Sequence, residues 1–250
     1  MSDGSRTSLP IDLSIIIPAL NEAGNIGPLA TRCRAVIERL GVQAEILVVD
    51  GGSSDGTVQE ATEAGARVIQ QEGRGYGGAL RTGFATATRE LVFYTDGDAQ
   101  YDPAEMVVLW RAFNDEVDLV NGYKISRSDP LHRIIIGRVY HHTVKILFGL
   151  TVRDVDCDFR MMRRSIFDKV RLEKNSGVIC LEMMKKITDA NFRIAEVPVH
   201  HYHRAYGRSQ FFNFGRLART AIDVFKLWFA LVIRREHLKA GAVVGQPHAR

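Results

Sequence analysis

Cysteine is scarce in this 250-residue chain: Cys33, Cys157 and Cys180 are the only three, and they stand far apart. That number and spacing give neither a disulfide framework nor a cysteine-based zinc site, so a reducing, cytoplasmic setting is expected. Long hydrophobic runs are missing as well. A bilayer-crossing helix needs roughly 20 apolar residues, and the nearest stretch, 224–233, is interrupted by Lys226. The chain is therefore expected not to cross a membrane. Residues 1–10 are polar, without the apolar core of a secretion signal. They are expected to be flexible, as are the small and polar residues 239–250. Zinc-finger spacing, RNP-like motifs and a long basic arm are also absent, so nucleic acid is not an expected partner. Charge of one sign does not dominate, with 33 Lys and Arg against 29 Asp and Glu. The small positive excess suits an anionic partner without identifying it.

The chain is 46% hydrophobic and 25% charged, enough for a full core in one α/β domain. β-Branched or apolar runs predict strands at 13–17, 45–49, 66–69, 91–94 and 117–120. Between them, apolar residues at helical spacing predict helices at 25–40, 57–64, 77–88 and 103–114. Gly41 and Gly65 act as stops, and Pro103 opens the last helix. Alternating strands and helices imply a mostly parallel sheet with helices on both faces. Ligands of such sheets bind beyond the carboxyl ends of the strands. Segments 18–22, 50–57 and 96–100 all fall there, so three polar loops are expected to converge on one crevice.

The sharpest of these is Asp96-Gly97-Asp98-Ala99-Gln100, directly after the apolar run Leu91-Val92-Phe93-Tyr94. Two carboxylates one residue apart suit a hard cation, Mg²⁺ or Mn²⁺, on the phosphates of a nucleotide, with Gln100 as a third oxygen ligand. Asp50 ends the second strand, where a carboxylate can face a ligand, whereas Asp55 reads as a helix N-cap. Two further segments carry basic residues among apolar ones. Residues 131–153 contain no acidic side chain, and Arg133, Arg138, Lys145 and Arg153 alternate with aliphatic and aromatic residues. Residues 211–235 repeat the theme with Phe225, Trp228 and Phe229 beside Lys226, Arg234 and Arg235. Such amphipathic helices either pack on the chain's own core or suit the surface of an anionic bilayer.

Taken in order, Ile17-Pro18-Ala19-Leu20-Asn21-Glu22, Val49-Asp50-Gly51-Gly52-Ser53-Ser54-Asp55-Gly56-Thr57 and Asp96-Gly97-Asp98 resemble a family-2 glycosyltransferase with the GT-A fold. Downstream, Asp154-Val155-Asp156-Cys157-Asp158-Phe159-Arg160, Glu196-Val197-Pro198 and Arg204-Ala205-Tyr206-Gly207-Arg208-Ser209 are similar to the polyprenyl- and dolichyl-phosphate sugar synthases. The resemblance implies a GT-A domain over residues 11–209, followed by an amphipathic membrane-interface segment over 210–238. It places Pro18, Leu20, Glu22 and Asp50 on the donor nucleoside, and Asp96, Asp98 and Gln100 on Mg²⁺ or Mn²⁺. Arg204 and Ser209 fall on the donor diphosphate, and Lys124 and Arg133 on the acceptor phosphate. Asp98 counts among the catalytic residues, with either Asp156 or Asp158 near the reacting centre. The implied reaction moves one hexose, from GDP-mannose or UDP-glucose, to polyprenyl phosphate at the cytoplasmic membrane face, with inversion. A non-lipid acceptor is the alternative within the family.

Some positions depart from the family pattern: Gly51 follows Asp50 where a second Asp is common, Gln210 follows Ser209 where a Lys is common, and Gly137 replaces a Ser. No Gln-x-x-Arg-Trp motif is present, which argues against a processive polysaccharide synthase. A rival from another class is an NAD-dependent oxidoreductase, because Gly73-Arg74-Gly75-Tyr76-Gly77-Gly78 matches the dinucleotide fingerprint and Asp96 lies about 20 residues on. The fingerprint follows the third strand rather than the first, so these glycines are expected to form a loop and helix start near the donor.

Overall fold

The computed structural model describes residues 12–127, 131–203 and 214–240. The first half alternates as expected: β1 (Leu13–Ala19), α1 (Ile26–Leu40), β2 (Ala44–Asp50), α2 (Thr57–Glu63), β3 (Arg67–Gln70), α3 (Gly75–Thr86), β4 (Leu91–Thr95) and α4 (Met106–Ala112), the last entered through a 3-10 turn at Pro103–Glu105. β5 (Leu119–Arg127), α5 (Leu131–Phe148), β6 (Phe159–Arg163), α6 (Ile166–Lys169), α7 (Ile179–Asp189), β7 (Ile194–His201) and α8 (Phe214–Trp228) follow, then a π turn at Phe229–Ile233 and α9 (Glu236–Ala240).

The seven strands form one sheet in the order β3-β2-β1-β4-β6-β5-β7. All neighbours are parallel except β6, which runs antiparallel to both β4 and β5. β1 lies in the interior because Ile15, Ile16 and Ile17 are fully buried, with alternate side chains on opposite faces. Ile16, Leu47, Val92 and Tyr94 pack with residues of α3, α5, α7 and α8, while Ile15, Ile17, Val48 and Phe93 pack with α1 and α4.

β1 runs past the expected end at Ile17, through Pro18 to Ala19. The carbonyl of Ala19 still accepts from Gly51 N–H at 2.8 Å, so Ala19 bonds toward β2. The preceding Pro18 then faces the β4 side, where pairing has already ended at Ile16–Tyr94. No ladder donor is lost there.

The C-terminal segment is part of the same core. Val224, Leu227 and Leu231 are buried in the layer with Val144 and Phe148 of α5, and the Trp228 indole N–H donates to the Leu147 carbonyl at 3.1 Å. The opposite face of α8 exposes Ile222 and Phe225, by 53% and 62%. Among the described residues, no helix is long and apolar enough to cross a membrane.

Candidate active site

On one side of the crevice the loops after β1 and β2 are laced together. Asn21 N–H donates to Ser53 Oγ at 2.9 Å, Glu22 N–H to Thr57 Oγ1 at 2.8 Å, and Ser54 N–H to Asn21 Oδ1 at 2.9 Å. Asp50 is buried at the end of β2, and its carboxylate accepts from Gly52 N–H at 3.0 Å and Ser53 N–H at 3.1 Å. These bonds fix the carboxylate beside the crevice while holding its own turn. Asp55 does not cap α2 as expected: Gly56 holds the N-cap position, and the Asp55 carboxylate instead accepts from Thr57 N–H at 3.0 Å, two residues on, which fixes the turn ahead of the helix. Glu22 accepts from Asn25 Nδ2 at 2.8 Å. Leu20, next to Pro18 and Ala19, exposes 53% of its surface, enough to offer an apolar contact to a flat ring.

The other side of the crevice comes from the one antiparallel strand. Pairing of Thr95 with Phe159 sets the end of β4 beside the start of β6. Asp96 and Asp98, just after β4, therefore share one end of the sheet with Asp156 and Asp158, just before β6, and Asp96 feels the charge of both Asp158 and Asp98. The Tyr76 hydroxyl donates to Asp96 Oδ1 at 2.6 Å. Asp98 Oδ1 accepts from Gln100 N–H at 3.1 Å. Asp158 Oδ1 accepts from the Cys180 thiol at 3.0 Å, and its N–H donates to the Tyr101 hydroxyl at 3.4 Å.

The segment before β6 is buried without regular structure, so its polar groups need side-chain partners. Asn121 Nδ2 donates to the Asp154 carbonyl at 2.8 Å, and Lys124 Nζ to the Asp156 carbonyl at 2.6 Å. Arg160, fully buried, donates through Nε to Asn121 Oδ1 at 2.6 Å and through its terminal nitrogens to the Tyr94 hydroxyl and the Val155 carbonyl. Lys124 also lies 3.3 Å from Asp154 Oδ2. Burial alone would lower the Lys124 ammonium, but Asp154 and the neighbouring carboxylates hold it above its ordinary value. Burial pushes the Asp156 carboxyl up to about 6, against the pull of Lys124. Burial, then repulsion from Asp158 and Asp98, raises Asp96 well above the usual carboxylate range.

Crowded carboxylates of this kind fit a divalent cation. Among the described residues no group of three His, Cys, Asp or Glu closes into a cage. A hard cation completed by substrate phosphates needs only one or two protein carboxylates, and Asp96 and Asp98 supply two. Gln100 is held elsewhere: its Nε2 donates to the Tyr202 carbonyl at 2.9 Å, and Tyr202 N–H donates to the Gln100 carbonyl at 2.7 Å. Only its side-chain oxygen remains to reach a cation. Arg204 and Ser209 lie outside the described residues, just beyond Tyr202 and His203. Arg133 falls within α5, but its side chain is likewise outside them, so of the two acceptor candidates only Lys124 is placed.

The fingerprint glycines serve a packing purpose. Gly77 N–H donates to the Asn175 carbonyl at 2.9 Å, and a side chain at Gly75 or Gly77 would collide with the 174–175 backbone. The start of α3 is thus covered by protein where a dinucleotide would need it open. Tyr76, Tyr101, Asn121, Arg160 and Cys180 are site-shaping residues that motif reading passed over. Arg160 had a signal, a charge inside the apolar strand Phe159-Arg160-Met161-Met162, which demands buried partners.

The sequence model described as glycosyl transferase family 2 matches residues 14–171. Undecaprenyl-phosphate 4-deoxy-4-formamido-L-arabinose transferases of Salmonella paratyphi A and Salmonella dublin are each 30% identical over 220 residues, covering 85% of this chain. The chain spans 66% of the length of those relatives. Among solved structures, glucosyl-3-phosphoglycerate synthase of Mycobacterium tuberculosis with Mn²⁺, UDP and glucosyl-3-phosphoglycerate superposes with a TM-score of 0.70 at 19% identity, over 88% of this chain and 79% of that one. The same enzyme with phosphoglyceric acid gives 0.71, with the same identity and coverage.

Proposed function

The chain belongs to glycosyl transferase family 2, and from that premise we propose that it moves one sugar from a nucleotide-sugar to a polyprenyl phosphate at a membrane surface. The observation that carries this reading is the β4–β6 pairing, which brings Asp96 and Asp98 to the same end of the sheet as Asp156 and Asp158, the end at which Asp50 closes β2. The donor nucleoside lies over Pro18 and Leu20, with Glu22 and Asp50 accepting from its base or ribose. Arg204 and Ser209 hold the diphosphate through a charged fork and a hydroxyl. Asp96 and Asp98, with the Gln100 oxygen, hold Mg²⁺ or Mn²⁺, which when bound neutralises charge on the departing nucleoside diphosphate.

The acceptor is a phosphate monoester with a second pKa near 6, largely ionised at neutral pH. It needs no strong base, only alignment with the anomeric carbon. Lys124 and Arg133 supply positive charge toward that phosphate, and Asp156 or Asp158 orients it. Displacement in one step inverts the anomeric centre. The relatives named for undecaprenyl phosphate support the lipid acceptor, and the exposed apolar face of α8 supports a peripheral position on a membrane surface, with the cytoplasmic leaflet as part of the proposal. The hexose, and GDP-mannose or UDP-glucose as donor, are part of the proposal.

The test is transfer of labelled sugar to a short-chain polyprenyl phosphate, with GDP-mannose and UDP-glucose in parallel, with and without EDTA. A second arm offers 3-phosphoglycerate as a water-soluble acceptor. EDTA-sensitive lipid-linked product is expected. Product only in the soluble arm would replace the lipid acceptor with a phosphorylated acid, and tight nucleotide binding without transfer in either arm would overturn the reading.

A further inference from the structure

Tyr76 has no role in the proposal above, yet its hydroxyl meets the Asp96 carboxylate at 2.6 Å. Its position is built in layers. Gly77 N–H on one side donates to the Asn175 carbonyl, and Gly75 on the other is pressed against the same carbonyl at a φ of +72° that only glycine adopts easily. The 173–175 segment is in turn held by Glu182, fully buried, which accepts from Glu173 N–H at 3.1 Å and Lys174 N–H at 2.9 Å. Lys186 Nζ completes that anchor at 2.8 Å from Glu182. Arg81 adds a hydrogen bond to Asn175 Oδ1 at 2.9 Å. The backbone carrying Tyr76 is therefore fixed independently of its hydroxyl.

We infer that Tyr76 is a positioning residue that presents the Asp96 carboxylate to a divalent cation. A hydrogen bond to one carboxylate oxygen removes the rotation of the whole group, as outer-sphere donors do around metal ligands. A neutral phenol performs this without adding a positive charge that would compete with the cation. Lys124, whose charge does reach Asp96, is committed to Asp154 and the Asp156 carbonyl. The inference rests on the reading of Asp96 and Asp98 as cation ligands, and its test must separate the two.

The test is a titration of the full chain with Mn²⁺, followed by electron paramagnetic resonance in the presence of UDP or GDP, on wild type, Tyr76→Phe and Tyr76→Leu. Both variants are expected to bind Mn²⁺ about tenfold more weakly. Tyr76→Phe, which keeps the ring, is expected to melt like wild type and to regain transfer at saturating Mn²⁺. Mn²⁺ affinity of Tyr76→Phe within twofold of wild type overturns the inference, and so does weakening confined to Tyr76→Leu, which would assign the effect to packing. If wild type itself binds no Mn²⁺ with either nucleotide, the cation reading fails first and takes the inference with it.

Discussion

Lys124 and Asp154 face each other at 3.3 Å with side chains 9% and 7% exposed, a buried ion pair at the edge of an otherwise acidic cluster. Lys124 N–H also donates to Asp154 Oδ2 at 3.3 Å, and Asp154 Oδ1 accepts from Asp156 N–H at 3.0 Å. The pair thus shapes the loop that delivers Asp156 and Asp158. Lys124 serves that loop whatever charge it also offers an acceptor phosphate.

Removing one partner of such a pair leaves an uncompensated buried charge, at a cost of about 3–5 kcal/mol. Lys124→Met is therefore expected to lower unfolding free energy on that scale in a urea titration. Asp154→Asn in the same chain should restore part of the loss, because the stranded carboxylate is then gone. If Lys124→Met unfolds at the wild-type midpoint, the pair has no such role and Lys124 is held for the acceptor alone.

Asp98→Ala should act on turnover and leave the fold alone. The side chain lies in a loop after β4, outside both apolar layers. The loss expected is about 10²–10³-fold in kcat, the scale for deleting one preorganised group that stabilises developing charge. Labelled-sugar transfer, with circular dichroism as the folding control, checks it. Metal-dependent transfer at the wild-type rate would remove Asp98 from the site.

Much of this site was legible because its pieces sit at strand ends, and strands with β-branched runs announce themselves. Leu13 through Ile17 and the run before Asp96 needed no tertiary information. Asp50 and Asp55 could be assigned different tasks from position alone, but Asp55 holds the turn ahead of α2 and leaves the N-cap position to Gly56. β6 could not be read the same way. Phe159-Arg160-Met161-Met162 carries a charge at its centre, and only the fold supplies Asn121, Tyr94 and Val155 to satisfy it. Its antiparallel direction is also invisible to a pattern of alternating strands and helices, yet that direction brings Asp158 to Asp96. Tyr76 was hidden for a different reason: a glycine-rich run looks like a phosphate loop until Asn175 is seen lying across it.

The Asp156 carboxyl, pushed up to about 6 by burial, makes stability depend on pH in a stated direction. Its folded pKa exceeds the unfolded value near 4, so the folded state binds more protons between those limits. The contribution of this group to stability therefore falls as pH rises through about 4 to 6, and the full penalty holds above 6. Two pH units correspond to at most about 3 kcal/mol. Asp156→Asn carries no such penalty, so its stability relative to wild type should be higher at pH 8 than at pH 4. Urea unfolding of both proteins at the two pH values checks this, and a pH-independent difference would show that the Asp156 carboxyl is not raised.

α8 gives the membrane reading its most selective test, because its two faces make opposite demands. Val224 and Leu227 are buried in the core, so polar substitutions there would unfold the protein and say nothing about lipid. Ile222 and Phe225 are more than half exposed and contact solvent. Replacing both with Ser removes apolar area that the folded protein leaves in water, so the melting temperature should hold. On a bilayer that same area would be buried, and full burial of one such side chain is worth roughly 1.5–3 kcal/mol. Partial burial of two predicts a loss of about tenfold or more in partitioning onto anionic vesicles, measured by sedimentation. Because Lys226 and Arg219 stay in place, weak electrostatic binding should persist at low salt and disappear at high salt. Unchanged sedimentation of the double variant at high salt would show that α8 does not insert, and would leave the basic α5 segment as the surface to test.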